Sequence, residues 1–468
     1  MKNFQTPKAK ELIVERFEFN TQENSAKFYF SLDKEIFCEK LVFQLPFKAE
    51  KIKLAKLEKA LFFAHLALSI SYWKIKAPPL ITVKSGFLKK IEINFFQQAF
   101  TKGLGEFFYE NNINFKGLIN FKNFYSSSRE AKKNHHPFKE KIIKENFIKK
   151  KSTLKNISNK KNLLCLGGGK DSLVGSEILR QKKIDFIPLI FAENFLAITQ
   201  AKKMNLPMIL IKRNLDKKIF SYNKSKKYFN GHVPFSFILA FCSNIAANLM
   251  NAKNIIVSNE HSANFGNINF CGQKINHQWS KSYRAEKMMN KVLHKNFSIN
   301  YFSLLRPFWE IKIVEMFVKQ KKYLYDFASC NQNFKQNKKT TKSLHCGHCP
   351  KCVFVFSLLA AFVKREKLKQ IFKQNLFEKQ NLLLLFQRLW GEKDFKPFEC
   401  VGEKSEVKAA LTLAIKKYSF NQKEIILQNF AKKFLNNEKK KQKEISKAQE
   451  ILSFFGPCNP LIKDFGIK

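Results

Sequence analysis

The period of the sequence changes twice between Leu163 and Gln181. Leu163-Leu-Cys-Leu166 is a short apolar run, Gly167-Gly168-Gly169 interrupts it, and Leu173–Gln181 is amphipathic. That succession reads as a strand, a tight turn and the start of a helix. Glycines let the backbone approach a polyanion closely, the free N–H groups of a first helical turn point at it, and the helix dipole favours negative charge there. The turn is suited to hold phosphate.

Spacing decides which phosphate turn it is. A Walker A loop needs Gly five residues before Gly169 and Ser or Thr after Lys170, but Leu164 and Asp171 stand there. A dinucleotide fingerprint needs a third small residue in place of Ser172 within a longer context, and the Gly-x-Gly that remains is too short to define one. The segment Gly167-Gly168-Gly169-Lys170-Asp171-Ser172 resembles the Ser-Gly-Gly-x-Asp-Ser loop of the PP-loop ATP pyrophosphatase superfamily, with Gly167 in place of the first Ser. That superfamily implies a doubly wound parallel sheet of the HUP type.

A second cluster is Cys346-Gly-His-Cys349-Pro-Lys-Cys352, with Cys330 sixteen positions earlier. Cys-x-x-Cys spacing brings two sulfurs to one ion while backbone amides stabilise their charge, so a structural tetrahedral Zn²⁺ leads. An iron–sulfur cluster of the 4Fe-4S type comes second, because the bacterial run would continue to a Cys-Pro that is absent here. A redox or disulfide role comes third. His345 and His348 are expected to be bystanders, and the chain contains no His-x-Glu, which excludes the zinc-deaminase pattern.

Composition limits the remaining classes. A chain of 468 residues with 45% hydrophobic residues can bury a large core and divide into two or three domains. The net charge of +48 invites a nucleic-acid partner, but only eight of the 85 basic residues are Arg. A Lys surplus spread over the whole length, beside 51 Phe, reads as base-composition drift and a solvated surface, so nucleic acid is not the expected partner. Ten cysteines and an N-terminus without an apolar leader point to a reducing, cytoplasmic compartment. The apolar runs Leu61–Trp73 and Val353–Val363 are too short to span a bilayer and read as core helices.

Four regions are expected. Residues 1–125 form an N-terminal α+β accessory domain with strands at Leu12–Phe19, Ala26–Leu32 and Lys40–Phe47 and a helix from Lys51 to Trp73. Residues 126–161 are a basic linker or lid. Residues 162–330 carry alternating strands (163–166, 186–191, 208–212, 254–258) and helices (173–181, 234–250) of an α/β phosphate-loop domain. Residues 331–468 hold the four-cysteine knuckle and helices at 353–364, 381–390, 408–417 and 423–434, followed by a charged helical tail. A parallel sheet binds ligands past the carboxyl ends of its strands, so the turn at 167–172 and the polar run Ser258–Asn264 are expected on one rim.

Gly231-His-Val-Pro234, Ser258-Asn-Glu-His-Ser-Ala-Asn264, Asn276-His-Gln-Trp-Ser-Lys-Ser282, Leu305-Arg-Pro307, Cys349-Pro-Lys-Cys352 and Lys396-Pro-Phe-Glu-Cys-Val-Gly402 together resemble the UDP-N-acetylmuramoyl-L-alanyl-L-glutamate epimerase family of peptidoglycan synthesis. The likeness is good over about residues 160–410 and loose over the first 125. It implies an ATP- and Mg²⁺-dependent inversion of the terminal L-Glu of a nucleotide-linked dipeptide. The route would pass through an acyl-adenylate with release of AMP and diphosphate, and a partner ligase would supply the L-Glu dipeptide. Adenylation makes such chemistry sensible, since a free carboxylate opposes ionisation of its own α-C–H whereas a mixed anhydride accepts the charge as an enolate.

Under that resemblance Gly167, Gly168, Gly169 and Ser172 would hold phosphates, Asp171 would ligate Mg²⁺ or orient the diphosphate, and Lys170 would neutralise the leaving group. Glu260, His261 and His277 could shuttle a proton, with the base among them unassigned. Lys281 and Arg306 could clamp the substrate's anionic groups, and Asn259, Asn264, Asn276, Gln278 and Ser280 would position it. Cys330, Cys346, Cys349 and Cys352 would close a metal shell, leaving Cys400 as an ordinary buried thiol. Two rival classes are another PP-loop enzyme, a tRNA-modifying thiolase or 7-cyano-7-deazaguanine synthase, and a non-catalytic nucleic-acid binder.

Overall fold

The computed structural model describes residues 3–47, 54–134, 161–334, 343–393, 395–418 and 421–467. Twelve strands are numbered in chain order: β1 Glu11–Asn20, β2 Ser25–Leu32, β3 Glu35–Gln44, β4 Leu80–Val83, β5 Asn120–Asn123, β6 Lys161–Cys165, β7 Ile187–Phe191, β8 Ile209–Asn214, β9 Ala252–Val257, β10 Ile268–Phe270, β11 Gln273–Ile275 and β12 Asn300–Ser303. Ten of them form one sheet in the order β12-β9-β6-β7-β8-β3-β2-β1-β4-β5, and β10 and β11 make a separate hairpin.

From β12 to β8 every neighbouring pair is parallel, and so are β1·β4 and β4·β5; β8·β3, β3·β2 and β2·β1 are antiparallel. The protein is therefore a mixed α/β structure on a large, mostly parallel sheet. The strands of residues 1–125 are hydrogen-bonded into the same sheet as those beyond residue 160, through the register Leu41↔Arg213. Of the stretch 126–161, Ser128–Asn134 is a short helix, while 135–160 lie outside the described residues.

The parallel strands read as continuous apolar runs because both of their faces are covered. Leu163 and Cys165 enter one core with helices Leu54–Lys76 and Phe235–Leu249; Leu164 and Leu166 enter the other with Lys170–Gln181, Glu310–Val318 and Pro350–Ala360. Part of the Phe surplus has a packing use. Phe63, Phe96, Phe237 and Phe241 meet edge-on or tilted at centroid distances of 5.1–6.1 Å, a geometry that aromatic quadrupoles favour.

Boundaries moved where turn chemistry took over from apolar pattern. The third strand runs Glu35–Gln44 rather than 40–47. The knuckle helix starts at Pro350, since Cys349 caps it and proline suits a first helical position. Five short strands, β4, β5, β10, β11 and β12, were not expected; each has three or four residues, too few to establish a period.

The junction between the antiparallel and parallel parts is pinned by a buried ion pair. Arg213 Nε lies 2.6 Å from Glu39 Oε1, and its Nη2 also donates to Ser71 Oγ at 3.0 Å. The two side chains are 5% and 0% exposed, so removal of one strands the other's charge out of water. Glu39→Gln is expected to cost about 3–5 kcal/mol in urea unfolding, and the double change Glu39→Met with Arg213→Met to recover most of that loss. A single variant as stable as the parent would contradict this role.

Candidate active site

The turn after β6 has the shape its glycines foreshadow. Gly168 is left-handed (φ +79°), and its carbonyl accepts Gln200 Nε2 at 3.0 Å and Ala328 N at 3.2 Å. Gly169 is the N-cap of helix Lys170–Gln181 and makes no side-chain capping bond. Ser172 Oγ donates back to Gly169 O at 3.1 Å, and Asn194 Nδ2 donates to Gly167 O at 2.9 Å. Further along, Gly175 lets this helix close on the end of β9, since a Cβ there would stand 2.5 Å from Ser258 Oγ.

Because β6, β7, β9 and β12 run parallel, their carboxyl ends share one edge. On it stand Gly167–Lys170, Asn194, Ser258–Asn264 and Leu304–Glu310. Lys170, fully buried, places Nζ 2.5 Å from Asp171 Oδ1 and 2.6 Å from Glu310 Oε1, and Lys351 Nζ reaches the same Glu310 oxygen at 2.8 Å. Burial pushes the Glu310 carboxyl up, but Lys170 and Lys351 outweigh it and hold it at about 2. Burial likewise raises Asp171, opposed by Lys170 and reinforced by Glu310 and Glu260. Lys281 joins the group: burial lowers its ammonium, and Cys400, Glu260, Asp171 and Glu310 raise it above its ordinary value. The result is three carboxylates (Asp171, Glu260, Glu310) interleaved with three ammonium groups (Lys170, Lys281, Lys351).

Buried polar atoms are left over around this edge. Among the described residues, Ser258 Oγ, Asn259 Nδ2 and Glu310 Oε2 have no hydrogen-bond partner. Unsatisfied buried groups of this kind are costly, and a polar ligand at this edge would complete their shell. Mg²⁺ prefers carboxylate and phosphate oxygens, and Asp171, a quarter exposed beside the turn, suits it as a hard donor.

Other expected residues are placed differently. Arg306 is fully buried and turned inward, with Nε and Nη2 on Glu286 Oε2 at 3.0 and 2.8 Å, Nη1 on Glu260 O at 2.6 Å and Nη2 also on Lys281 O. It fixes the backbone beneath Glu260 and Lys281, and its donors are spent inside the protein. His261 is boxed by Phe265, Trp309 and Phe454, and burial holds its imidazole down at about 4. Asn276 Nδ2 donates to Ala263 O and its Oδ1 accepts Gln278 N, Gln278 Nε2 donates to Val401 O, and Asn264 Oδ1 accepts Tyr283 N, so these amides hold loops. Ser280 is buried. His277 is bonded to Glu106 through Nδ1 and faces Cys400 Sγ at 3.7 Å through Nε2.

The sequence reading missed Glu310, Lys351 and Glu106 and took Cys400 for an inert thiol. Cys400 is half-buried, and its thiol, pushed up by burial, is brought down to about 7 by Lys281 and His277. Lys351 and Cys400 both stand in segments that carried the family resemblance. Nothing in the local pattern distinguishes Glu310 or Glu106 from other helical carboxylates.

The four sulfurs of Cys330, Cys346, Cys349 and Cys352 lie within 4.8 Å of one another. Cys346 Sγ and Cys352 Sγ are 3.8 Å apart, the edge of a tetrahedron whose centre-to-sulfur distance is about 2.3 Å, as Zn²⁺ requires. Cys349 N and Cys352 N donate to Cys346 Sγ and Cys349 Sγ at 3.4 Å each, which favours thiolates. The set can hold a metal. His345 stays outside it, packed on Phe327 and Phe372, and His348 is exposed. A cavity of about 490 Å³ lined by Lys161, Arg180, Asp185 and Pro207 opens at the opposite, amino ends of β6 and β7, away from this chemistry.

Comparison with known proteins covers most of the chain. The MurL N-terminal domain family matches residues 3–304 and the MurL C-terminal domain family residues 326–445. The chain belongs to the MurL family. Relatives named UDP-N-acetyl-alpha-D-muramoyl-L-alanyl-L-glutamate epimerase include one from Xanthomonas oryzae pv. oryzae, 30% identical over 79% of this chain and 77% of its own. Others are from a Micromonospora species, 30% identical over 80% and 79%, and from Salinispora tropica, 29% identical over 85% and 83%. The MurL N-terminal match takes in the phosphate turn, His277, Lys281 and β12, and the C-terminal match takes in all four thiols and Cys400. No helix among the described residues is long and apolar enough to cross a membrane.

Two measurements test this geometry. A Glu310 carboxyl held below its ordinary 4.5 adds stability that is present above pH 4.5 and lost as pH falls toward about 2. The excess of the parent's melting temperature over that of Glu310→Gln should therefore be largest near neutrality and shrink below pH 4.5; a constant difference would contradict the pairing. Protein purified without chelator should carry one Zn²⁺ per chain by elemental analysis. Cys349→Ser should lose the metal and melt lower, whereas a variant keeping its zinc would refute the site.

Proposed function

We infer that this protein inverts the terminal L-Glu of UDP-N-acetylmuramoyl-L-Ala-L-Glu to D-Glu at the expense of ATP, releasing AMP and diphosphate. The observation that carries this is the match to MurL epimerases over about four-fifths of the chain, together with a glycine turn flanked by the Lys170, Asp171 and Glu310 charges. The turn and the parallel strands β6 to β9 support a PP-loop domain of the doubly wound HUP type within residues 162–330, with 1–125, 126–161 and 331–468 as accessory regions around it.

The roles follow from charge and position. Amides of Gly168 and Gly169 and the Ser172 hydroxyl bind the ATP phosphates at the helix N-terminus. Asp171 is the proposed Mg²⁺ ligand; bound there, the ion would offset charge on the diphosphate. Lys170 lies below the turn and stabilises the departing diphosphate, with Glu310 keeping its ammonium in place. The α-carboxylate of the dipeptide attacks the innermost phosphorus, diphosphate leaves, and the acyl-adenylate acidifies the α-carbon. Lys281 is placed to face the carbonyl oxygen as it takes up negative charge. Loss of the α-proton, its replacement on the opposite face and hydrolysis complete the inversion. The four thiols, with no open position, fix the helix that presents Lys351. Such a reaction needs a ligase that adds L-Glu to the muramoyl peptide, and the proposed compartment is the cytoplasm.

The full chain incubated with ATP, Mg²⁺ and the muramoyl dipeptide is expected to yield AMP and D-Glu, scored by nucleotide chromatography and chiral amino-acid analysis. Asp171→Asn should reduce AMP release by about a hundredfold or more without lowering the melting temperature. D-Glu formed without ATP, or an Asp171→Asn enzyme of full activity, would overturn the assignment.

A further inference from the structure

Neither histidine of the polar segments is suited to take a proton at neutral pH. His261 is enclosed by three aromatic rings, and burial holds its imidazole at about 4. His277 has both nitrogens engaged, Nδ1 by Glu106 and Nε2 by Cys400, and these partners, against the downward pull of burial, raise its imidazolium to about 10. Two groups lie beside it: the imidazole of His232, which burial and His277 push well below its ordinary value, and the thiol of Cys400.

Its surroundings are built rather than accidental. Gln278 Nε2 holds Val401 O at 3.1 Å, Asn267 Nδ2 holds Pro397 O at 2.9 Å, and Lys396 Nζ pairs with Glu403 Oε1 at 2.7 Å, so the bend carrying Cys400 is fixed on both sides. His277 Nε2 stands 3.7 Å from the sulfur, and, against burial, the charges of Lys281, His277 and Lys351 all favour the thiolate. Lys281, whose ammonium burial lowers and Cys400, Glu260, Asp171 and Glu310 alike raise, shares Arg306 with Glu260 through their carbonyls, so the thiol and the phosphate turn share one charged neighbourhood. A thiolate beside an imidazolium, oriented by a carboxylate, is an activated base at neutral pH.

We propose that the Cys400 thiolate is the base that removes the α-proton of the adenylated glutamyl residue, with His277 and Glu106 as its positioning residues. The proposal rests on the epimerase reading above. The α-C–H bond breaks and an S–H bond forms; the freed electron pair enters the bond from Cα to the carbonyl carbon, and the carbonyl π pair moves to oxygen. One negative charge thus passes from sulfur to the enolate oxygen, beside Lys281. The proton on Sγ exchanges with solvent, and a solvent-derived proton on the opposite face gives the D centre.

The test uses the full-length protein with ATP, Mg²⁺ and the muramoyl dipeptide in D₂O, scored for AMP and for deuterium at the glutamate α-carbon. Cys400→Ala should keep AMP release at the wild-type order of magnitude while wash-in of deuterium falls by about a hundredfold or more. Wash-in at the wild-type rate in that variant overturns the proposal alone; a wild-type protein that releases no AMP overturns the epimerase reading itself. Should Cys400→Ala fail to fold, iodoacetamide treatment of the wild-type protein decides. Alkylation mapped to the Cys400 peptide should follow a pH midpoint near 7 and abolish wash-in in step, and wash-in surviving complete alkylation overturns it. His277→Gln should move the midpoint of the wash-in profile upward, because the thiolate loses its cationic neighbour; an unmoved midpoint overturns the positioning role.

Discussion

The charge cluster of Lys170, Glu310 and Lys351 is the constraint on which the rest of the site depends. Each member comes from a different element: the helix after the phosphate turn, the helix after β12, and the helix of the four-thiol knuckle. Glu310 and Lys170 are wholly buried, so neither charge is tolerable without the other. Their pairing, extended by Lys351 on the same Glu310 oxygen, ties the turn to the C-terminal region across more than a hundred residues of chain. It also brings the cysteine knuckle to the site. Lys351 lies between Cys349 and Cys352, so a metal held by those thiols would fix the ammonium that completes the cluster.

A second layer of buried polar contacts lies beneath the cluster. Arg306 spends its donors on Glu286 and on the carbonyls of Glu260 and Lys281, which sets two groups of the cluster from beneath. Glu406, fully buried, does the same for the far end: its Oε1 accepts Ser262 Oγ at 2.5 Å and Glu403 N at 2.9 Å, and its Oε2 accepts Ile311 N at 3.0 Å. Burial, with Glu310 nearby, raises that carboxyl to about 7. The bend with Cys400 and the helix with Glu310 are thus held by one side chain, and the C-terminal region shapes the active edge as much as the strands do.

What was legible in the sequence follows physical rules. The turn at 167–172 could be read because glycine spacing and the switch in apolar period act over adjacent residues, and the four thiols because metal geometry restricts spacing. The strands β6 to β9 were visible as apolar runs since both faces are covered. The continuation of the sheet into β3, β2 and β1 was not, because antiparallel pairing of β3 with β8 joins residues some 170 apart and leaves no local mark. For the same reason Glu310, Lys351 and Glu106 were missed: a charge acquires its meaning from the partner folded against it. The inward turn of Arg306, the aromatic enclosure of His261 and the placing of His277 beside the Cys400 sulfur left no local mark either.

The central claim is that the phosphate edge transfers AMP to the α-carboxylate of the glutamyl residue. Dipeptide labelled with ¹⁸O in that carboxylate tests it most directly, with the AMP product weighed by mass spectrometry. The account predicts one ¹⁸O in the phosphate of AMP for each turnover, carried over when the mixed anhydride is hydrolysed at carbon. AMP free of label, formed while D-Glu accumulates, would contradict it.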